Sequence, residues 1–405
     1  MIRMLPVPDN RIAYLVGKGD RAISVQPFVP YDELVCEFLN SLSSALLSDK
    51  MAKPYPDVIS FAYWCRKANI ARLKQEFAEA HTRLGLGLVF HIAPSNVPIN
   101  FAFSYVFSLL AGNANIVRVP AKDFPQTSIV CRVINQLFAN AKYEKIADMT
   151  VFVQYPQHDE ITSAFSEKCN ARIIWGGDQA IHNIKKLTIP ERSIEIAFAD
   201  RYSFCAINAD SILQADSITL NKLAVSFYND TYLMDQNACS SPHLIVWLGQ
   251  GSALTEAKDK FWDSVYEVTV SKYELQPVNV VDKYMLLCEN AIELNSITNV
   301  KKHGNYLYRI ALDSLPDNMD AFRGQYGFFY EYDAQDMNSI AHIINTKYQT
   351  LTYFGLDKAE LLDFVVTNNL LGIDRIVPIG SALDIGVIWD GYDIVRSLSR
   401  IIDIK

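Results

Sequence analysis

From residue 85 onward the chain alternates short apolar runs with longer segments whose apolar positions recur at helical spacing. The runs at 87–93, 115–119, 150–154, 171–175 and 203–208 read as buried strands. The stretches at 100–110, 127–141, 159–168 and 179–187 carry the 3.6-residue period of amphipathic helices. Strand, helix, strand at this spacing predicts a parallel, doubly wound sheet with helices on both faces. Further strand-like runs follow at 243–247, 306–311 and 327–330, which predicts a second α/β domain. Before residue 85 the signal is weaker: helical periodicity covers 34–47, and one longer helix is expected over 60–81.

Composition narrows the classes. The 405 residues are half hydrophobic and only 20% charged, enough for two domains with substantial cores. A net charge of −8 argues against a general nucleic-acid or anionic-membrane surface, each of which needs a basic face. The seven cysteines show no CxxC spacing, which suits a reducing compartment, and no Cys/His grouping suggests a metal. No signal-peptide order is present at the N-terminus. The longest apolar stretch, 99–111, is too short and interrupted to span a bilayer, and a cytoplasmic protein is expected.

Candidate chemistry centres on Cys239, in Asp235-Gln236-Asn237-Ala238-Cys239-Ser240-Ser241-Pro242. Its neighbours are small, an apolar helical segment precedes it and a strand follows. A thiol so placed is open to a substrate carbonyl, and nearby backbone N–H groups can serve an oxyanion. Buried structural cysteines are also common, so context decides. Asn96, in Pro94-Ser95-Asn96-Val97-Pro98, offers an amide for the same oxyanion, although Asn between prolines is also ordinary turn chemistry. No GxGxxG fingerprint occurs. Instead Gly176-Gly177 lies between a strand and a helix, where backbone N–H groups can approach a pyrophosphate. Arg118 and Lys122 follow another strand and bring positive charge to the same edge. His91, inside a strand, reads as a core histidine.

The order of these segments resembles the aldehyde dehydrogenase superfamily. There a Pro-x-Asn-x-Pro segment carries the oxyanion asparagine, matched by Asn96, and a Gly-Asn-x-x-x-x-Lys segment lines the dinucleotide site, matched by Gly112 to Arg118. Pro94, Ser95, Gly176 and Gly177 join the cofactor set by the same comparison. The chain is most similar to the LuxC-type fatty acyl reductases, through Ile174-Trp175-Gly176-Gly177-Asp178, Asp200-Arg201-Tyr202-Ser203-Phe204 and Trp389-Asp390-Gly391-Tyr392-Asp393. The resemblance runs from about residue 85 to the end. NAD-preferring relatives place a Glu three residues after their Lys; here that place is Ala121, followed by Lys122, which favours NADP(H). Glu195 sits near where hydrolytic members hold the Glu that activates water, but the Leu-Gly-Gly that follows it there is missing.

What the resemblance implies is an aldehyde dehydrogenase-like α/β fold. Its expected parts are a helical region at 1–84, a dinucleotide-binding domain at 85–211, a catalytic domain at 212–346 and a segment at 347–405. That last segment would return to the cofactor domain or to a neighbouring subunit. The implied reaction is NADPH-dependent reduction of a long-chain acyl thioester to the aldehyde through an acyl-Cys239 intermediate, with no metal. Expected partners are acyl-CoA or an acyl-carrying protein such as an acyl-protein synthetase, and further copies of the chain in a homo-oligomer. Oxidation of an aldehyde, or a non-catalytic scaffold for an acyl partner, are the alternatives.

Overall fold

The computed structural model describes residues 2–4, 11–17, 22–78, 81–94, 97–156 and 159–405. The chain divides into two compact units. One comprises Met1–Ala199 with Tyr392–Lys405, the other Asp200–Gly391.

The first unit is built on a six-stranded sheet of β1 (Ala13–Val16), β2 (Leu88–Ile92), β3 (Ala114–Arg118), β4 (Thr150–Gln154), β5 (Ala171–Trp175) and β6 (Ile194–Phe198). The spatial order is β1-β4-β3-β2-β5-β6; all neighbours are parallel except the antiparallel edge strand β1. The chain starts this parallel set at β2, adds β3 and β4 on one side, then crosses over to add β5 and β6 on the other. The strand order therefore reverses between β2 and β5, which is where doubly wound sheets hold ligands. Strands buried on both faces read as near-continuous apolar runs, and β2, β3 and β5 are mostly apolar, with His91, Asn115 and Arg172 as buried polar exceptions. The helix α1 (Asn100–Leu110) after β2 is buried along its whole length. His91 is a core residue: it hydrogen-bonds Ser104 at 2.8 Å and Asn115 at 3.0 Å, and burial pushes its pKa down to about 4.

The single helix expected over 60–81 is two helices, Pro56–Trp64 and Lys67–Glu76. The chain turns at Arg66, which is extended (ψ 146°), so that Trp64 can pack edge-on against Phe103 and Phe107. Tertiary packing overrides a period that by itself runs on.

The second unit carries a seven-stranded sheet of β7 (Tyr202–Asn208), β8 (Pro242–Leu248), β9 (Ile297–His303), β10 (Leu307–Leu312), β11 (Phe328–Ala334), β12 (Tyr348–Phe354) and β13 (Arg375–Pro378). Its order is β9-β10-β11-β8-β7-β12-β13, parallel except for the hairpin of β9 with β10. The observed division differs from the expected one at both ends. The run at 203–208 is a central strand of the second sheet, paired with β8 and β12, not the last strand of the first. Residues 348–378 supply two more strands to that sheet, and only 392–405 belong to the first unit. There Ser399–Ile401 pairs with Arg83–Gly85, and the Arg83 guanidinium donates to Ser399 Oγ and to the carbonyls of Arg396 and Ser399 at 2.8–2.9 Å. Strand sequences announce a strand but not which sheet takes it.

Candidate active site

Cys239 lies in the loop that joins the helix α2 (Ser217–Thr231) to β8. Two consecutive residues, Asp235 and Gln236, adopt left-handed conformations (φ 52° and 62°) and turn the chain back toward the sheet. Such residues cost strain, which buried hydrogen bonds must offset. Gln236 supplies them. It is fully buried, its amide nitrogen donates to Pro242 O (3.1 Å) and Phe328 O (2.9 Å), and its oxygen accepts from Gly327 N and Phe328 N, both at 3.1 Å. Gly327 is itself left-handed (φ 85°), and a Cβ there would fall 2.3 Å from Tyr306 O. On the other side, Ser203 Oγ donates to Cys239 O at 2.7 Å and accepts from Thr350 N at 3.1 Å. The loop is thus fastened to the starts of β7, β11 and β12. The thiol occupies the amino edge of its parallel sheet, opposite to the carboxyl edge that the ligand rule for open sheets favours.

Cys239 is half-buried. Gln349 Nε2 approaches its sulfur to 3.4 Å and also donates to the carboxyl of Asp390. Asp390 is buried and left-handed (φ 49°), and burial raises its pKa against the opposing influence of Arg201 and Gln349. The Cys239 thiol is pushed up to about 11, first by burial and then by the Asp390 charge; Gln349, Arg323 and Arg375 act in the other direction. Arg375 stacks 4.4 Å from the Trp389 ring and donates to the carbonyls of Ser381, Ala382 and Asp384. The Cys239 sulfur is thus held in a hydrogen-bonded setting that disfavours its charged form.

The first unit carries the candidate cofactor residues. Pro94, Arg118 and Gly176 lie just past β2, at the end of β3 and just past β5, three adjacent strands, so all are at the carboxyl edge around the reversal point. Gly177 is the N-cap of the helix Asp178–Lys185 and has no side chain to spend on capping it. That glycine and this strand order fit a dinucleotide, whose pyrophosphate needs close backbone approach at a helix start. A Cβ on Gly176 would meet only Ala180 at 3.6 Å, so packing alone does not demand glycine there. The Arg118 guanidinium lies 4.6 Å from the Tyr155 ring, and Lys122 is exposed beside Phe124 at 5.1 Å. Gly112 and Asn113 stand at the opposite end of β3. Asn113 is buried and ties Gly87 N to the carbonyls of Ser108 and Leu398, a structural duty. Ser95 and Asn96 lie outside the described residues.

Glu195 is on β6 and is committed to Arg172, which donates to it from Nε at 2.6 Å. Arg172 is buried and also bonds Ser166 Oγ (3.0 Å) and Leu187 O (2.9 Å). A carboxylate spent on a buried guanidinium is poorly placed to accept a proton from water. Among the described residues no grouping of His, Cys, Asp and Glu could hold a metal ion, and no helix is long and apolar enough to cross a membrane.

The family model for acyl-CoA reductase (LuxC) matches residues 66–402. The chain belongs to the LuxC acyl-CoA reductase family. Solved structures place this chain among aldehyde dehydrogenase folds. An NAD-dependent benzaldehyde dehydrogenase from Corynebacterium glutamicum is 12% identical, with 97% of this chain and 94% of that one covered and a TM-score of 0.61. A salicylaldehyde dehydrogenase from Pseudomonas putida G7 is also 12% identical, covering 91% and 84%, TM-score 0.61. A Thermus thermophilus 1-pyrroline-5-carboxylate dehydrogenase is 11% identical, covering 90% and 80%, TM-score 0.60. No curated protein sequence matches. The chain is therefore an oxidoreductase-family protein with the aldehyde dehydrogenase fold.

Sequence reasoning missed Gln349, Ser203 and Gln236. A polar residue at the start of a strand that also carries Thr350 and Thr352, as Gln349 is, carries no periodic or motif signal. Asp390 was visible only as part of an unexplained Trp-Asp-Gly segment.

Proposed function

We propose that this protein reduces an acyl thioester to the aldehyde with NADPH, through an acyl group carried on Cys239. The observation that carries the reading is the Cys239 loop, a partly exposed thiol in a strained turn fastened by Gln236 and Ser203, in a LuxC-family chain. The Cys239 sulfur bonds to the acyl carbon as the donor thiolate leaves with the thiol proton. Asn96 and backbone N–H groups of the cysteine loop donate to the oxyanion. Bound nicotinamide dinucleotide supplies hydride, and the carboxyl edge around Pro94, Gly176 and Gly177 holds it, with Ser95 joined to that set by the family resemblance. Arg118 and Lys122 bind its 2′-phosphate. Collapse of the resulting hemithioacetal frees the aldehyde and returns the sulfur. Commitment of Glu195 to Arg172 supports the reductive direction, because a reductase has no thioester to hydrolyse. The acyl donor is a long-chain acyl-CoA or acyl-protein, and the working form is a cytoplasmic homo-oligomer.

Intact-mass measurement after mixing with long-chain acyl-CoA tests this. The expected result is an acyl adduct that disappears on adding NADPH as aldehyde forms, and no adduct on Cys239→Ala. An adduct on the alanine variant, or one that NADPH leaves in place, overturns the reading.

A further inference from the structure

The Trp389-Asp390-Gly391 segment is the one motif for which the reaction above finds no use, yet it meets the nucleophile through a single side chain. Gln349 is fully buried at the start of β12 and its amide is engaged on three sides. Its nitrogen donates to Asp390 Oδ1 and to Cys239 Sγ (3.4 Å), and its oxygen accepts from Thr350 Oγ1 (3.2 Å). An ionised carboxylate only accepts hydrogen bonds. Asp390 therefore fixes which end of the amide faces the sulfur, because a flipped amide would set oxygen against oxygen. Asp390 is itself braced. Its left-handed φ is followed by Gly391 at φ 75°, where a Cβ would come within 3.0 Å of Asp374 Oδ1, and Trp389 is stacked on Arg375.

We propose that Gln349 is the donor that steadies the Cys239 sulfur as a thiolate, and that Asp390 is the positioning residue that keeps the Gln349 amide nitrogen turned to it. The inference rests on Cys239 being the nucleophile. The donor matters most at the end of the cycle. Once hydride has been added to the acyl carbon, the hemithioacetal oxyanion re-forms its C=O bond, the C–S bond breaks, and the electron pair leaves on sulfur, which then takes a proton from solvent. An N–H already aimed at that sulfur stabilises the departing thiolate without reorganisation. The charged groups around the sulfur are Asp390, Arg323 and Arg375; those around Asp390 are Arg201, Asp374 and Arg375. The amide and the carboxylate thus act on the thiol in opposite senses, which gives the arrangement a signature.

The test is the pH dependence of iodoacetamide alkylation at Cys239, read by site-resolved mass spectrometry, in Gln349→Met and Asp390→Asn. Loss of the donor raises the midpoint and slows alkylation at pH 8 by about tenfold. Loss of the negative charge lowers the midpoint and speeds alkylation by roughly threefold to tenfold, since Asn tolerates the left-handed backbone and still offers an oxygen to the amide. Single-turnover aldehyde release slows with Gln349→Met. If that variant does not fold, Thr350→Val serves, since it releases one side of the amide and is expected to slow alkylation by about twofold to threefold. Midpoints that stay put, or move the same way in both main variants, overturn the proposal. Alkylation shifts as expected, with the acyl mass on another residue, would sink the functional reading and the donor's part in the cycle while leaving its hold on the sulfur; an acyl-Cys239 with unmoved midpoints would sink this proposal alone.

Discussion

Glu195→Gln separates a structural carboxylate from a catalytic one. Glu195 accepts from Arg172, whose side chain is 2% exposed against 19% for Glu195. Breaking a buried ion pair from one side costs about 3–5 kcal/mol, since the remaining charge is left uncompensated. Gln keeps one oxygen for the guanidinium, and Glu195 is partly solvated, so about 2–3 kcal/mol is the expected loss. In a unit of about 210 residues each kcal/mol moves Tm by roughly 2–4 °C, which gives a drop of about 4–12 °C. Circular dichroism melts of the parent and the variant measure that drop. NADPH-dependent aldehyde formation, followed from pH 6 to 9, should keep its kcat within about threefold and its profile unchanged. An unaltered Tm with kcat down by two orders of magnitude or more and a lost pH limb would refute the reasoning and make Glu195 a general base.

Other outcomes follow from the same geometry. With burial and Asp390 holding the Cys239 thiol up near about 11, its alkylation rate should climb about tenfold per pH unit from 7 to 9; a plateau near pH 7 would mean a thiolate already formed. Arg118→Ala with Lys122→Ala should remove most of an NADPH preference of about tenfold in kcat/KM by weakening NADPH alone, and equal use of NADH by the parent would end that assignment. Asn96→Ala should lower turnover by about two to three orders of magnitude with a smaller effect on KM, measured in steady state on a variant whose melt is normal.

The sequence determined most of the local elements of the first unit. Runs buried on both faces, such as 88–92 and 171–175, are mostly apolar because water is excluded from either side, and the one polar residue in each, His91 and Arg172, is hydrogen-bonded inside the fold. The place of Cys239 between a helix and a strand was legible because small residues and a helix-to-strand junction are local facts. Tertiary structure alone decided the rest. Whether 203–208 joins the first or the second sheet depends on partners far along the chain, β8 and β12, and no local propensity encodes them. Glu195 changes meaning once Arg172, a strand away, is seen to hold it. Gln349 and Asp390 stand 110 and 151 positions beyond Cys239; folding alone brings Gln349 to the sulfur and Asp390 to Gln349. Hydrogen bonds between residues so distant leave no period in the sequence, since each residue is chosen for a neighbour that folding brings to it.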